Sequence, residues 1–447
     1  MKKGALFLAL TLRLTAVDAQ DLLATYELAL QHDPRLHEAE ATRNAVLETK
    51  PQSLARLLPT LSARAGLNRD YWQSNSLGGV GGQGIGFAVG LGGQNVGFWD
   101  SSASAELTQP IYHREYWVQL SQADNQIAQA EAAYAAEQQN VTLRTAQAYF
   151  NVLLAQDNLE FALSEKQSIE RQLEQAKARF EVGLTAITDV NEAQAGFDLA
   201  RANAIKAEND LDNAREALRE IIGEFEENLS GLATEIPLKS PEPTNIEDWS
   251  RRAQENNLAI IAAQNRSELA KKGIDLQFAG HLPSLDLIGS AGFVDNNRPL
   301  GFTYQYQAIG MQVKVPLFQG GAVNSRVRQA RYEFEAAQEN LDTQRRSVTR
   351  QVKDAYRGIL SSISQVSAYQ AAVVSSQSAL EATEAGFEVG TRTMVDVLVE
   401  QRNLYRAKLD YAKSRYDYIV NSLSLKQASS LLGREDIELV NRWLSRN

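Results

Sequence analysis

Four histidines, His32, His37, His113 and His281, are the side chains best suited to hold a metal or move a proton near neutral pH. They fall in different predicted elements and show no metal-ligand spacing. There is no cysteine, which removes disulfides, thiolate nucleophiles and sulfur-held zinc. Gly79, Gly81 and Gly84 form a G-x-G-x-x-G string, the pattern of a dinucleotide-binding turn. It follows no strand-to-helix turn and lies in glycine-rich sequence, so it reads as loop composition and not as a phosphate cradle. Serine, histidine and aspartate are all present, but no nucleophile-elbow motif presents a serine for attack. The expectation is a chain with no catalytic residues, no cofactor and no metal.

Charge and hydropathy narrow the partners. A formal net charge of −10 without a local Lys/Arg cluster speaks against nucleic acid, whose phosphates need a basic face. Lys2 and Lys3 precede an apolar run from Gly4 to Leu12, and Val17-Asp18-Ala19 ends in a small residue suited to signal-peptidase cleavage. Residues 1–19 are therefore expected to be a signal peptide and the mature chain to begin near Gln20; Arg13 interrupts the apolar region and argues against a retained anchor. No other stretch approaches the ~18 to 20 uninterrupted apolar residues of a spanning helix, which leaves a soluble periplasmic protein or a β-barrel.

The chain is written twice. Arg179-Phe180-Glu181-Val182-Gly183-Leu184 and Thr188-Asp189-Val190 return as Gly386-Phe387-Glu388-Val389-Gly390-Thr391 and Val395-Asp396-Val397, and Tyr149 returns as Tyr356. Leu107-Thr108-Gln109-Pro110-Ile111-Tyr112 matches Val313-Lys314-Val315-Pro316-Leu317-Phe318, and Leu58-Pro59-Thr60-Leu61 matches Leu282-Pro283-Ser284-Leu285. A first repeat over 20–230, a linker over 231–246 marked by Pro237, Pro241 and Pro243, a second repeat over 247–432 and a C-terminal segment over 433–447 follow, with helical patterns resuming near Asn245.

Apolar or small residues recur every seven positions at Leu120, Ile127, Tyr134, Val141 and Ala148, and again at Val327, Phe334, Leu341, Val348 and Ala355. Heptads without an internal proline predict long helices with a narrow apolar seam, packed as coiled coils. From Arg114 to Phe180 such a helix would run on the order of 100 Å at ~1.5 Å per residue. Four segments alternate instead with period two: Leu61 to Tyr71, Phe98 to Gln109, Ser284 to Val294, and Tyr304 to Val315. The last slips near Ala308, which predicts a bulge there. Tyr71, Trp72, Phe98, Trp99, Phe293, Phe302, Tyr304 and Tyr306 on the loop side, with Tyr112 and Phe318 on the helix side, read as paired interfacial belts. The glycine-rich stretch Leu77 to Gly97 and its shorter counterpart Asp295 to Thr303 read as outward-facing loops.

Four strands cannot close a cylinder, and hydrocarbon tolerates no unpaired sheet edge. Small membrane barrels begin at about eight strands and enclose little, whereas twelve leave a lumen. The expected fold is therefore a mixed α and β membrane protein in which each chain contributes four strands to a trimeric 12-stranded barrel above a coiled-coil α-helical barrel.

Arg179-Phe-Glu-Val-Gly-Leu-Thr-Ala-Ile-Thr-Asp-Val190 and Gly386-Phe-Glu-Val-Gly-Thr-Arg-Thr-Met-Val-Asp-Val397 resemble the two helix-turn tips of TolC-family ducts. Gly280-His-Leu-Pro-Ser-Leu-Asp-Leu287 and Pro316-Leu-Phe-Gln-Gly-Gly-Ala-Val-Asn-Ser325 resemble that family's second-half strand boundaries, and the similarity spans nearly the whole mature chain. The resemblance implies a passive outer-membrane export channel for drug efflux or type I secretion, a homotrimer. It implies docking to an inner-membrane pump through a periplasmic adaptor, a membrane fusion protein. It places Val182, Gly183, Leu184, Val389, Gly390 and Thr391 in the adaptor-docking tips. It makes Arg392 a latch with Thr188 and Asp189 as partners, and Asp396 a ring at the constriction. Phe387 replaces the family's gate tyrosine, which removes a hydroxyl, and Val399 with Glu400 beside it stands where some relatives carry a second ring aspartate. The rival classes are an enzyme and a non-conducting periplasmic coiled-coil spacer; the latter explains the heptads but not the strands with their aromatics.

Overall fold

In the computed structural model, residues 19–73, 95–225, 228–296 and 303–445 are described. The expected signal peptide and most of both glycine-rich loops lie outside them. Ten helices and four strands are seen among these residues: α1 (Leu22–His32), α2 (Pro34–Leu47), α3 (Thr49–Ala55), β1 (Thr60–Gln73), β2 (Asn95–Tyr112), α4 (Arg114–Glu181), α5 (Ile187–Ile222), α6 (Ile246–Asn256), α7 (Leu258–Phe278), β3 (Ser284–Asn296), β4 (Thr303–Lys314), α8 (Ala322–Glu388), α9 (Met394–Ala428) and α10 (Arg434–Asn441). The duplication is visible in the lengths, with α4 and α8 at 68 and 67 residues and α5 and α9 at 36 and 35. None of the described helices is long and apolar enough to cross a membrane.

The chain divides into two compact units. One is built from residues up to Arg43, Ala130–Ala263 and Leu341 onward, the other from Asn44–Gln129 and Gln264–Asn340. The second unit holds a four-stranded antiparallel sheet in the order β1-β2-β3-β4. Every strand predicted by alternation is present. Leu61, Leu107, Gly289 and Ile309 form one cross-strand row, and Ala63, Ala105, Ala291 and Gln307 the next, so odd-numbered positions share a face. That face is solvent-open in the single chain, with Ile309 80% exposed, where the side chains of an ordinary sheet would be covered by a core.

Two expectations are corrected here. The slip near Ala308 is not a bulge: Ser290 pairs with Ala308 in unbroken register, and only the polarity of β4 changes faces. Ile309, Met311 and Val313 lie with the apolar rows, whereas Tyr304 and Tyr306 lie on the other face with Arg64 and Phe98. A Cβ on Gly292 would fall 2.9 Å from the Tyr306 hydroxyl and 2.7 Å from the Ala103 carbonyl, so Tyr306 lies across that glycine. The loop-side aromatics of the expected paired belts thus divide between two faces; Tyr71, Trp99 and Phe293 stay with the apolar rows, and Arg69 sits over the rings of Tyr71 and Trp99. The register does shift in β2, between Pro110 and Tyr112. Proline removes a ladder donor and is tolerated inside a sheet at such a bulge. Just beyond it His113 bonds Glu115 and Asp286, each at 2.9 Å. Burial works to lower the His113 pKa, but the two carboxylates outweigh it and hold the imidazole above its ordinary value.

The first unit carries the main apolar core. Tyr149, Phe150 and Leu153 of α4 meet Leu218 and Ile222 of α5, Leu22 of α1, Ile419 and Leu423 of α9 and Ile437 of α10. The heptad residues Val141, Ala148 and Val348 are buried there, as a coiled-coil seam requires. The duplicated tyrosines have a specific task. Tyr149 donates to the Ser230 carbonyl at 2.8 Å, and Tyr356 donates to the Thr244 carbonyl, so each repeat pins one end of the linker to its own long helix. Tyr418 receives the Lys239 N–H at 2.9 Å, and Asn245 caps α6, where the helical pattern was expected to resume. Burial raises the Tyr149 pKa far above its usual value, with the nearby Asp21 charge adding to it.

Removing the buried hydroxyl in Tyr149→Phe leaves the Ser230 carbonyl short of a donor, at a cost of about 1–3 kcal/mol. Denaturant unfolding should show a lower midpoint with an unchanged slope.

Candidate functional site

Both duplicated Val-Gly motifs are helix-ending turns of the same construction. Gly183 has φ +75° and Gly390 φ +79°, the left-handed region that a Cβ disfavours. Leu184 N–H reaches back to the Arg179 carbonyl at 2.8 Å, and Thr391 N–H to the Gly386 carbonyl at 2.9 Å, which is the six-to-one bond of a Schellman ending. No atom lies within 4 Å of a Cβ built on either glycine, so dihedral freedom and not crowding selects the residue. The turns push Val182, Leu184 and Val389 out of the chain's own core, and Gly183, Gly390 and Thr391 are exposed beside them. Both turns thus present exposed apolar side chains in matching geometry.

The helices that leave the turns are capped differently. At α9, Thr393 receives the Asp396 N–H at 3.2 Å, and the Asp396 carboxylate receives both the N–H and the hydroxyl of Thr393 at 2.9 Å. Asp396 is therefore the third residue of a capping box, readable in the sequence as Thr393-Met-Val-Asp396 and not recognised there. The Thr393 backbone bond, then its hydroxyl bond and the nearby Arg392, hold the Asp396 carboxyl below the ordinary carboxylate range. In α5, Ala186 occupies the cap position without a side-chain bond, and Asp189 instead accepts from the Thr185 hydroxyl in the same turn. Thr188 is exposed.

Arg392 is exposed, and among the described residues it makes no ion pair within the chain. Its stem packs on Gly386, where an added Cβ would fall 2.7 Å from the Arg392 Cγ. Asp189 and Thr188 are not brought to it within one chain. Phe387 is half-buried between two small clusters, one containing Ile169, Met394 and Leu398, the other Leu380, Val397 and Leu404. The Arg179 guanidinium lies over its ring, 5.3 Å from the centroid. This cation-π contact joins the end of α4 to the end of α8. Sequence reading overlooked Arg179, because its residue type and spacing are those of any cation in a last helical turn. A cleft of about 550 Å³ beside it is lined by Arg171, Gln172, Glu384 and Met394 as well.

Glu400 lies one turn after Asp396 and accepts from Asn403 at 3.4 Å, while Val399 is exposed beside it. Gln401 was also overlooked. It is 1% exposed, and among the described residues neither its amide nitrogen nor its oxygen has a partner. An amide left unpaired in a buried site costs about 1–3 kcal/mol.

The chain matches the model of the outer membrane efflux protein family over residues 25–224 and 249–430. It is 41% identical to the outer membrane protein TolC of Vibrio cholerae serotype O1, covering 96% of this chain and 95% of that protein. It is 38% identical to the TolC of Escherichia coli K12, over 96% and 86%. The alkaline protease secretion protein AprF of Pseudomonas aeruginosa is similar at 28% over 94% and 87%. Among solved structures, the Campylobacter jejuni CmeC outer membrane channel superposes with a TM-score of 0.77 at 17% identity, covering 95% of this chain and 90% of that one.

Gln401→Met fills the same volume without the stranded amide, and calorimetry should show a higher Tm, equivalent to about 1–3 kcal/mol. An unchanged or lower Tm would mean that the amide is satisfied in the assembled protein. Because the Asp396 pKa is lowered on folding, its carboxylate supports the start of α9 fully above the ordinary carboxylate pKa and ceases to as pH falls through the folded value. Thr393→Ala should remove that acid-sensitive component from thermal unfolding curves measured at descending pH.

Proposed function

This chain belongs to the outer membrane efflux protein family, and from that premise we propose that three copies form a gated duct docked to an inner-membrane pump through a periplasmic adaptor. The protein is an outer-membrane channel of the TolC family serving efflux or secretion. The observation that carries the trimeric reading is the sheet: four strands with two unpaired edges and an uncovered apolar face. Hydrocarbon leaves no water to satisfy the outer N–H and C=O groups of β1 and β4, so sister chains must pair with them. Twelve strands enclose a lumen where eight do not.

The tips supply the gate and the docking surface in this reading. Val182, Gly183, Leu184, Val389, Gly390 and Thr391 present exposed apolar turns that an adaptor hairpin can approach closely. Among the described residues Arg392 makes no ion pair, and in this reading it meets Thr188 and Asp189 of a neighbour. An exposed ion pair contributes only about 0–1 kcal/mol, weak enough for a docking partner to release. Within each chain the Arg179 guanidinium over Phe387 takes over from the tyrosine hydroxyl of relatives, holding the α8 tip to α4. Three Asp396 carboxylates about one axis attract cations and repel anions; the bonds from Thr393 favour the charged form of each, and the like charges of the ring oppose it. Glu400 on the same helix adds to the acidic lining. The passage is passive, without a catalytic step.

Planar-bilayer recordings test this. Asp396→Asn removes the charge while keeping a capping oxygen, and should lower cation preference and weaken block by multivalent cations. Arg179→Gln combined with Arg392→Ala should raise single-channel conductance several-fold over either change alone, since one loosens the tip within a chain and the other between chains. Unaltered selectivity in the first variant would remove Asp396 from the constriction; absence of any channel events in the parent would favour the spacer reading.

A further inference from the structure

The register of the two hairpins carries information about a contact that a single chain does not contain. In the duplication, Leu61 of β1 corresponds to Leu285 of β3, and Leu107 of β2 to Val313 of β4. Leu61 pairs with Leu107, and Leu285 pairs with Val313. The two hairpins therefore have the same register residue for residue, although the connections closing them differ greatly in length. The junction between them, β2 with β3, joins the trailing strand of one hairpin to the leading strand of the other. It sets Leu107 opposite Gly289, Ala105 opposite Ala291 and Pro110 opposite Asp286, then shifts by one residue so that Tyr112 faces Leu285.

We propose that β4 of one copy pairs antiparallel with β1 of the next in the duplicate of this junction, with Val313 opposite Ala65. This rests on the trimeric reading above and adds to it the register that the copies adopt. Met311 then meets Leu67, Pro316 meets Ser62, and Phe318 meets Leu61. A row that runs Ala63, Ala105, Ala291, Gln307 in one chain continues to Tyr71 of the following copy, giving the barrel its stagger.

Three observations converge on this register. The faces agree: Met311 and Val313, both exposed in the single chain, continue the apolar face of Ala65 and Leu67. A one-residue slip would turn every side chain to the opposite face. The bulge agrees: Pro316 stands where Pro110 stands, and a proline inside a sheet needs the donor-free position that the bulge at Pro110 provides. The exposure agrees: Leu317 and Phe318 are 92% and 88% exposed, whereas their duplicates Ile111 and Tyr112, which already have a neighbouring strand, are about half as open. The register also sets Lys314 opposite Arg64, a like-charge pair at the strand end; Glu106, diagonal to Arg64 on the same face, is placed to offset it.

The absence of native cysteine makes the test clean. Directly opposed strand residues have Cα atoms about 4.5–5.5 Å apart, within disulfide range. A two-residue slip opens the separation to ~7–8 Å. Ala65→Cys/Val313→Cys, oxidised in isolated outer membranes, should give a reducible dimer and trimer ladder at more than tenfold the yield of Ala63→Cys/Val313→Cys or Leu67→Cys/Val313→Cys. A ladder dominated by either slipped pair would overturn the register while leaving the trimer intact. Parent protein that light scattering finds monomeric, with no ladder from any pair, would overturn the trimeric reading itself. A trimeric parent with no ladder from all three pairs would place the contact elsewhere than β4 with β1.

Discussion

Peptide groups must be paired wherever water cannot reach them, and in this chain that requirement falls on two strand edges. β2 and β3 are flanked on both sides within the chain, whereas among the described residues β1 and β4 each present one row of backbone donors and acceptors with no strand opposite. A soluble protein would blunt such edges with charge, proline or a covering helix. Here the apolar face is left open and the edges are left long, which makes the isolated chain an incomplete object in the bilayer. The duplicated hairpin is the economical answer, because a unit whose trailing strand already fits its own leading strand can be extended by copies without new contacts being invented.

The helical hairpins obey a different rule. Each long helix must turn back, and both do so through a glycine in the left-handed region followed by the same pair of backbone bonds. What differs is how firmly the returning helix is started. α9 begins with a complete capping box and a crowded Gly386 under Arg392, while α5 begins without a side-chain cap. The α9 side also carries the buried, unpartnered Gln401 and the ring of Phe387 under Arg179. Arg392 there is exposed and Asp189, Asp396 and Glu400 are half-buried, so their worth depends on the neighbours they meet.

The linker shows how the repeats are tied together. Tyr149 and Tyr356 occupy duplicated positions, yet they bond different segments, Ser230 at one end of the linker and Thr244 at the other. A duplicated donor thus secures a segment that is itself not duplicated. Burial that would make either hydroxyl costly if unpaired makes the pairing specific.

Much of this was legible in the residues alone. Period-two alternation located all four strands, heptads without proline located α4 and α8, and the repeated Val-Gly pairs marked both turns, because each of these depends on neighbours in sequence. What only the tertiary structure decided depends on partners distant in the chain. Alternation in β4 could not distinguish a bulge from a change of polarity between faces, since that is settled by the strand across from it. Asp396 is the exception: its bond to Thr393, three residues away, is local and was written in the sequence as a capping box. Arg179 over Phe387 and the stranded amide of Gln401 had no sequence signal, because they arise where helices from different repeats meet. Local periodicity is written in a chain by its own geometry, whereas the surroundings of any one side chain are written by everything that folds against it.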